Sequence, residues 1–348
     1  MLRVGIIGLG GISYSHGRSI AELDEVEIVA VADLLPGSRD RFANEFGVEV
    51  LYASHTELLA DKDVDAVAIT LGHQLHHRLT IDALNAGKHV LVEKPMALSL
   101  DHCDEMIAAA RRNGVKLTVG LNQRFLTANQ KAHEVLDSGE LGPVITAISH
   151  SRKNWGIDSR RPQYRSRYHG GGYWISVGCH IVDRLSWLVG SQVSRVKARI
   201  GTKSHYQAGD DYAVAFLDYK NGVPGVVVCV GYKTGAQFFG TEIICAGGAL
   251  RLSGTGEQFV EIGRNEKWER VPIEKPPPPM FGQWRAFARA IADNLEPAVS
   301  TAWARHIMEI LLAAETSSIT GAEVELATAR SWIIQEAGEV VGPDGVWY

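Results

Sequence analysis

At 348 residues, with 45% apolar and 22% charged side chains, the sequence has the composition of a soluble globular protein long enough for two domains. Its 35 basic and 40 acidic side chains leave a net charge of −5, which argues against a nucleic-acid partner. No apolar run approaches the ~20 residues that span a bilayer, so no membrane association is expected. The four cysteines (Cys103, Cys179, Cys229, Cys245) are widely separated without a CxxC pair, which speaks against a zinc ribbon or disulfide scaffold and for a reducing, cytoplasmic compartment.

The chain runs from Met1 directly into a strand pattern, so no signal peptide is expected. Continuous apolar runs at 4–9, 26–32, 66–71, 89–92 and 117–121 alternate with helical stretches. Continuous rather than alternating apolar runs suit strands buried on both faces of a parallel sheet. The clearest helix is 100–112, with Ser99 as N-cap, an apolar stripe of Cys103, Met106, Ile107 and Ala110, and Asn113-Gly114 as the stop. Repeated strand–helix–strand units predict a doubly wound α/β domain.

Beyond residue 121 the pattern changes. Strands are expected at 144–150, 193–200, 212–218, 225–232, 242–246 and 258–262, with one strong helix at 173–189. This reads as an α+β domain built on a large, mostly antiparallel open sheet, giving domains of 1–121 and 122–348. The run Lys275-Pro276-Pro277-Pro278-Pro279 is a stiff connector, followed by helices near 283–294 and 301–318.

Gly8-x-Gly10-x-x-Ser13 closes the first strand and opens a helix, where glycines allow a tight turn and a pyrophosphate can sit on the helix N-terminus. Gly8, Gly10, Gly11 and Ile12 are the expected phosphate loop. Asp33 ends the next strand, 20 residues past Ser13, where a carboxylate accepts from a ribose 2′-hydroxyl and repels a 2′-phosphate. Leu34 and Leu35 follow with no adjacent arginine, so NAD is favoured over NADP.

Further motifs then accumulate in order. Leu71-Gly72-His73-Gln74-Leu75-His76, Ala86-Gly87-Lys88-His89-Val90, Glu93-Lys94-Pro95, Asn122-Gln123-Arg124-Phe125, Gly170-Gly171-Gly172, Gly178-x-His180-x-x-Asp183 and Trp187-Leu188-Val189-Gly190 span residues up to 190. Together they resemble the Gfo/Idh/MocA oxidoreductases, the relatives of glucose–fructose oxidoreductase and inositol dehydrogenase. The resemblance implies an N-terminal Rossmann domain and a C-terminal open sheet whose face covers the nicotinamide. It also implies that Leu71, His76, Glu93, Lys94, Asn122 and Arg124 lie near the cofactor, and that the sheet makes a homodimer or homotetramer. Two positions depart from the family pattern: Gly72 replaces a proline, and Ser176 replaces an aspartate four residues before His180.

Oxidising a secondary alcohol needs a hydride acceptor and a base for the hydroxyl proton. Lys94 follows a strand end and either relays that proton or holds the hydroxyl. His180 shares a helix face with Ser176 and Asp183, and an imidazole titrates close to working pH. Lys94 and His180 are thus the catalytic candidates, with Asp183 read as structural. Lys153, Trp155, Tyr164, Tyr168 and Ser176 are expected, with Lys94 and His180, to line a polar substrate mouth, beside a basic patch at Arg160, Arg161, Arg165 and Arg167. No metal is expected, since His73, His76 and His77 lack carboxylate or thiolate neighbours in sequence. The leading function is an NAD-dependent oxidoreductase acting on a sugar, inositol or related polyhydroxylated ring. The competing functions are an NAD-retaining glycosidase or lyase that oxidises transiently, and a non-catalytic dinucleotide-binding sensor.

Overall fold

The computed structural model describes residues 1–155, 165–167, 169–254 and 256–327. The first third alternates β1 (Leu2–Ile7), α1 (Gly11–Ile20), β2 (Val26–Ala32), α2 (Pro36–Phe46), β3 (Val50–Tyr52), α3 (His55–Ala60), β4 (Ala66–Ile69), α4 (His76–Asn85), β5 (His89–Val92), α5 (Leu100–Asn113) and β6 (Leu117–Val119). Its strands pair in parallel in the order β3-β2-β1-β4-β5-β6, a doubly wound Rossmann sheet. The strand order reverses between β1 and β4, which opens a ligand crevice at their carboxyl ends. β4 is buried along its whole length, as its unbroken apolar run requires. The α5 limits follow the sequence closely: Ser99 Oγ accepts from His102 N at 3.2 Å, and Gly114 ends the helix at φ 65°. The unexpected strand is β3, three residues on the sheet edge with an exposed start, too short for an apolar run to reveal.

The second sheet follows α6 (Thr127–Asp137). It contains β7 (Val144–Asn154), then, after α7 (Cys179–Val189), β8 (Val193–Gly201), β9 (Tyr212–Tyr219), β10 (Pro224–Tyr232), β11 (Phe238–Cys245), β12 (Gly248–Ser253), β13 (Phe259–Arg264) and β14 (Lys267–Val271). Its order is β14-β13-β12-β11-β7-β10-β9-β8-β15, with β15 (Val324–Glu325) at the edge. Only β7 and β10 pair in parallel; every other neighbour is antiparallel. β12, β14 and β15 were not expected from sequence. β14 reads Lys-Trp-Glu-Arg-Val and is largely exposed, so it carries no apolar alternation.

The stretch 272–280 is irregular, and the chain then returns to the first sheet. α8 (Phe281–Ala292) places Met280, Trp284, Phe287 and Ala288 in one apolar cluster with Leu2, Val4, Ile6 and Val31. α9 (Thr301–Thr320) packs on β8, while Arg305 makes a bidentate pair with Asp104 of α5 at 2.5 and 2.9 Å. The polypeptide after residue 122 is therefore shared between the two sheets.

Candidate active site

The phosphate loop has the form its glycines require. Gly8 sits at φ 93°, and a Cβ there would stand 2.5 Å from Leu71 Cγ, so the close approach of the two loops excludes any side chain. Gly10 caps α1, whose first turn holds no acidic residue. A Cβ on Gly11 would meet nothing within 4 Å, which leaves open space over the helix N-terminus for an anionic group. Ser13 is buried and its Oγ donates to Gly10 O at 2.6 Å, so the serine tightens the turn from within and fits where a third glycine was expected.

Asp33 faces this loop. Its Oδ2 accepts from Leu9 N and its Oδ1 from Leu35 N, both at 2.8 Å, which fixes the carboxylate beside the glycine turn. Leu34 and Leu35, which follow Asp33, are 82% and 64% exposed, apolar surface suited to a purine. These residues fit a dinucleotide with its pyrophosphate on α1 and a ribose at Asp33. Sequence reasoning missed Arg39, whose guanidinium donates to Asp33 O at 2.6 Å and so puts a cation close to the ribose acid.

Glu93 and Lys94 leave β5 in a turn with a cis Lys94–Pro95 bond. His76 is buried and its Nδ1 donates to Pro95 O at 2.7 Å, so its imidazole holds the turn that presents Lys94. Burial lowers the His76 pKa and keeps it neutral. Glu93 is buried too. Burial pushes its carboxyl up, but the His16 bond and the nearby Lys94 charge outweigh it and hold it below the usual range. Its Oε1 lies 3.0 Å from His16 Nε2, and its Oε2 accepts from Lys94 N at 3.2 Å.

The expected helix at 173–189 begins as a π turn, Trp174–Gly178, before α7. Such wide turns free backbone groups and concentrate at functional sites. Within this turn the carbonyl of Ser176 accepts from Lys94 Nζ at 2.9 Å and from Cys179 Sγ at 3.6 Å. Ser176 thus contributes its backbone to the site. Asp210 secures the start of the turn by accepting from Trp174 N at 2.6 Å through Oδ1, and burial pushes its pKa up to about 7. Gly172, at φ 72°, leaves room for that carboxylate; a Cβ would fall 2.0 Å from Asp210 Oδ2.

His180 is in the first turn of α7. Among the described residues its Nδ1 is buried with no hydrogen-bond partner, while the residue as a whole is half-buried, which leaves Nε2 as the more accessible ring nitrogen. Burial first, then the charges of Lys94, Arg184 and Lys153, push its pKa well below 6.5, so the imidazole is neutral and proton-accepting. Asp183 does not orient it. Asp183 Oδ1 accepts from Arg124 Nη2 at 2.6 Å and from Trp303 Nε1 at 2.7 Å, a buried tie between the junction, α7 and α9.

Several expected residues sit elsewhere. Arg124, expected near the cofactor, is committed to Asp183 and to Ala298 O at 3.0 Å, which makes it a structural tie. Asn122 Nδ2 donates to Met280 Sδ at 3.3 Å and joins the junction to α8. Trp155, expected on the substrate mouth, is 1% exposed and packs edge-on against Tyr173 with ring centroids 4.6 Å apart, so it supports the wall from behind. Lys153, half-buried at the end of β7, does lie near the site, since its charge acts on His180. Tyr164, Tyr168, Arg160 and Arg161 lie outside the described residues, while Arg167 makes a bidentate pair with Glu315. Of the histidines that suggested a metal by composition, His73 and His76 have ring centroids 5.5 Å apart, with His73 Nδ1 2.7 Å from Gly170 O, while His77 turns to Glu105, its Nε2 2.6 Å from Oε2. Among the described residues no group of three metal-ligating side chains comes together, and no helix is long and apolar enough to cross a membrane.

Sequence reasoning also missed His16 and Trp284. The signal for His16 was available: it falls on the buried stripe of α1 with Ser13 and Ile20, and a histidine there needs a polar partner. Trp284, some 268 residues away, left no such signal.

Comparison with known proteins agrees with this architecture. Residues 2–121 match the family described as an oxidoreductase family with an NAD-binding Rossmann fold, and residues 129–251 match its GFO/IDH/MocA C-terminal domain. The chain is 30% identical to the myo-inositol 2-dehydrogenase of Thermotoga maritima over 69% of its own length and 73% of that protein's. It is 27% identical to the NAD(+)-dependent scyllo-inositol 2-dehydrogenase of Bacillus subtilis over 95% and 98% of the two chains. In fold it is similar to the aldose–aldose oxidoreductase of Caulobacter crescentus, with a TM-score of 0.86, 23% identity and coverage of 93% and 99%. A glycine-loop Rossmann sheet, a Glu-Lys-Pro turn facing a helix histidine and an open second sheet thus occur together with these matches, and the chain belongs to the Gfo/Idh/MocA family of oxidoreductases.

Proposed function

We propose that this protein is an NAD-dependent dehydrogenase or reductase that moves a hydride between nicotinamide and a secondary alcohol or ketone of a sugar, inositol or related polyhydroxylated ring. The observation that carries this reading is the convergence of Lys94, anchored to Ser176 O at 2.9 Å, with a neutral His180 beyond the phosphate loop and Asp33. The bound dinucleotide supplies the hydride acceptor. Lys94 holds the substrate hydroxyl as a point-charge donor, and His180 takes its proton at the accessible Nε2. Ser176 and Lys153 border the same space and complete the substrate site, while Gly8, Gly10, Gly11, Ile12, Asp33 and Leu71 hold the dinucleotide.

We assign residues 1–121 to dinucleotide binding and the second sheet to substrate binding and self-association. The solvent face of that sheet exposes Val214, Phe216 and Phe238, an apolar surface that supports a homodimer or homotetramer. Four free, buried thiols support a reducing, cytoplasmic setting. The test is a screen of sugars, inositols and keto-sugars followed by NADH absorbance, with NADP in parallel. Stoichiometric NADH release supports a dehydrogenase. Product formation without net NADH would transfer the site to a glycosidase or lyase, and dinucleotide binding with no turnover would make it a sensor.

A further inference from the structure

Both candidate catalytic side chains depend on one short segment. Lys94 Nζ is anchored on Ser176 O inside the π turn, and His180 stands just after that turn ends. The head of the segment is held by Asp210, which precedes β9. Its Oδ1 accepts from Trp174 N at 2.6 Å, and its backbone carbonyl accepts from Tyr173 N at 3.1 Å. Trp174 passes the restraint on. Its indole Nε1 donates to Leu311 O of α9 at 3.0 Å, and its ring lies so close to the end of the turn that a Cβ on Gly178 would stand 2.5 Å from Cε3. With the indole fixed in this way, slack at Trp174 N is taken up by the turn, and so by the carbonyl that anchors Lys94.

A carboxylate that accepts from a backbone N–H makes a charge-assisted bond, roughly twice as strong as a neutral one. Asp210 is faced by the Arg167–Glu315 ion pair, whose acid is on α9, and by Cys229 of β10. On its own loop, Asp211 is turned to Lys203 N, Ser204 N and His205 N. Burial pushes the Asp210 carboxyl up to about 7, against the Trp174 N bond and the Arg167 charge. Its bond to Trp174 is therefore charge-assisted above neutrality and weaker below it. On the reading of this site as a dehydrogenase centre, we propose that Asp210 is a positioning residue for the reaction: its ionised carboxylate holds the π turn in the geometry that sets Lys94 and His180 on the substrate hydroxyl, and its protonation slackens that turn. Asp210 acts through Trp174 and Ser176 and exchanges no proton with the substrate.

The experiment compares the wild-type protein, Asp210→Asn and Asp210→Ala, all loaded with NAD, between pH 6 and 8 on the best substrate of the sugar and inositol screen. Asparagine keeps an acceptor for Trp174 N without the charge, and alanine removes it. At pH 8, Asp210→Ala is expected to lower kcat by about tenfold or more and Asp210→Asn by less, with KM and NAD affinity within about twofold of wild type. Wild-type kcat should rise with pH through about 7, and this limb should be absent in Asp210→Asn. A second readout needs no turnover: trace labelling of Lys94 by acetic anhydride, measured by mass spectrometry against the exposed Lys62 of the same sample. At pH 8 Lys94 of the wild type should label at least about twofold less than in either variant, and at pH 6 it should match Asp210→Asn. A limb near neutrality that persists in Asp210→Asn, or Lys94 labelling that is the same in all three proteins, overturns the inference. So does a loss of kcat in Asp210→Ala matched by an equal loss of NAD affinity, which a merely structural role would give. The expected labelling in a protein that reduces NAD with no sugar or inositol overturns the dehydrogenase reading and leaves Asp210 as the brace of Lys94.

Discussion

Trp284 Nε1 donates to His16 Nδ1 at 2.9 Å, which assigns the proton of that buried imidazole to Nε2 and directs it at Glu93 Oε1, 3.0 Å away. A helix near the end of the chain thereby sets the tautomer of a residue in the first helix, and that tautomer fixes the acid next to Lys94. Removing the indole donor leaves a buried acceptor unpaired. Trp284→Phe is expected to cost about 1–3 kcal/mol. His16→Ala, which strips a buried carboxylate of its partner, is expected to cost about 3–5 kcal/mol. Urea unfolding of both variants measures the difference; equal, negligible losses would remove the relay from the account.

The proposed preference for NAD rests on Asp33. Its carboxylate is fixed by Leu9 N and Leu35 N, so NAD should bind at least about tenfold more tightly than NADP, or about 1.4 kcal/mol. Arg39 lies close enough to reward a 2′-phosphate once the acid is gone, so Asp33→Ser should narrow or reverse the preference without a second substitution. Titration by fluorescence decides it, and tighter NADP binding in the wild-type protein would refute the assignment.

Lys94→Ala should lower kcat by about 10²–10⁴ with NAD binding nearly intact. His180→Ala should be comparably damaging. Ser176→Ala should cost about tenfold or less, since the bond to Lys94 comes from the backbone carbonyl and survives the substitution. Steady-state kcat and kcat/KM for the three variants on the best substrate test this ranking. A Ser176→Ala loss as large as that of His180→Ala would put the hydroxyl in the proton path.

Acid should weaken the fold above the carboxylate range. Burial holds His73, His76 and His180 below 6.5 and brings His306 down to about 4. These folded-state values are depressed, so the unfolded chain takes up protons first. Their contribution is complete above about pH 6.5 and is lost as pH falls toward the folded values. For His306 alone, 6.5 − 4 at ~1.36 kcal/mol per unit is on the order of 3 kcal/mol. Asp210, raised to about 7, works in the opposite sense, but one carboxyl stands against four imidazoles. The urea midpoint should therefore fall between pH 7.5 and 5, and a midpoint that holds or rises would contradict this balance.

Much of this was legible because the cues were local. The strand runs of the first sheet, the Ser99 cap, the glycine turn and Asp33 each depend on a few neighbouring residues, and the structure has them where the sequence places them. Contacts between distant segments were not legible. Arg124 reads as a junction residue, yet its partners Asp183 and Ala298 lie 59 and 174 positions away and determine that it ties the fold together. Trp155 looked like an aromatic sugar platform until Tyr173 covered it. The π turn was hidden for another reason: residues 174–178 have an ordinary helical pattern, and only the backbone shows the wider winding from which Ser176 O meets Lys94.

The return of α8 to the first sheet bears on how such proteins can be recombined. A chimera that joins residues 1–121 of this chain to the second domain of a relative would inherit a foreign helix against α1. Val4, Ile6 and Val31 would meet side chains not selected for them, and His16 would lose its indole. Exchange of specificity is better designed with three crossovers, one after β6, one in the irregular stretch 272–280 and one between α8 and α9, so that α8 travels with the first sheet while α9 stays with β8. The module that is contiguous in space is interrupted in sequence, and a graft that respects only the linear boundary would separate Lys94 from the helix that indirectly holds it.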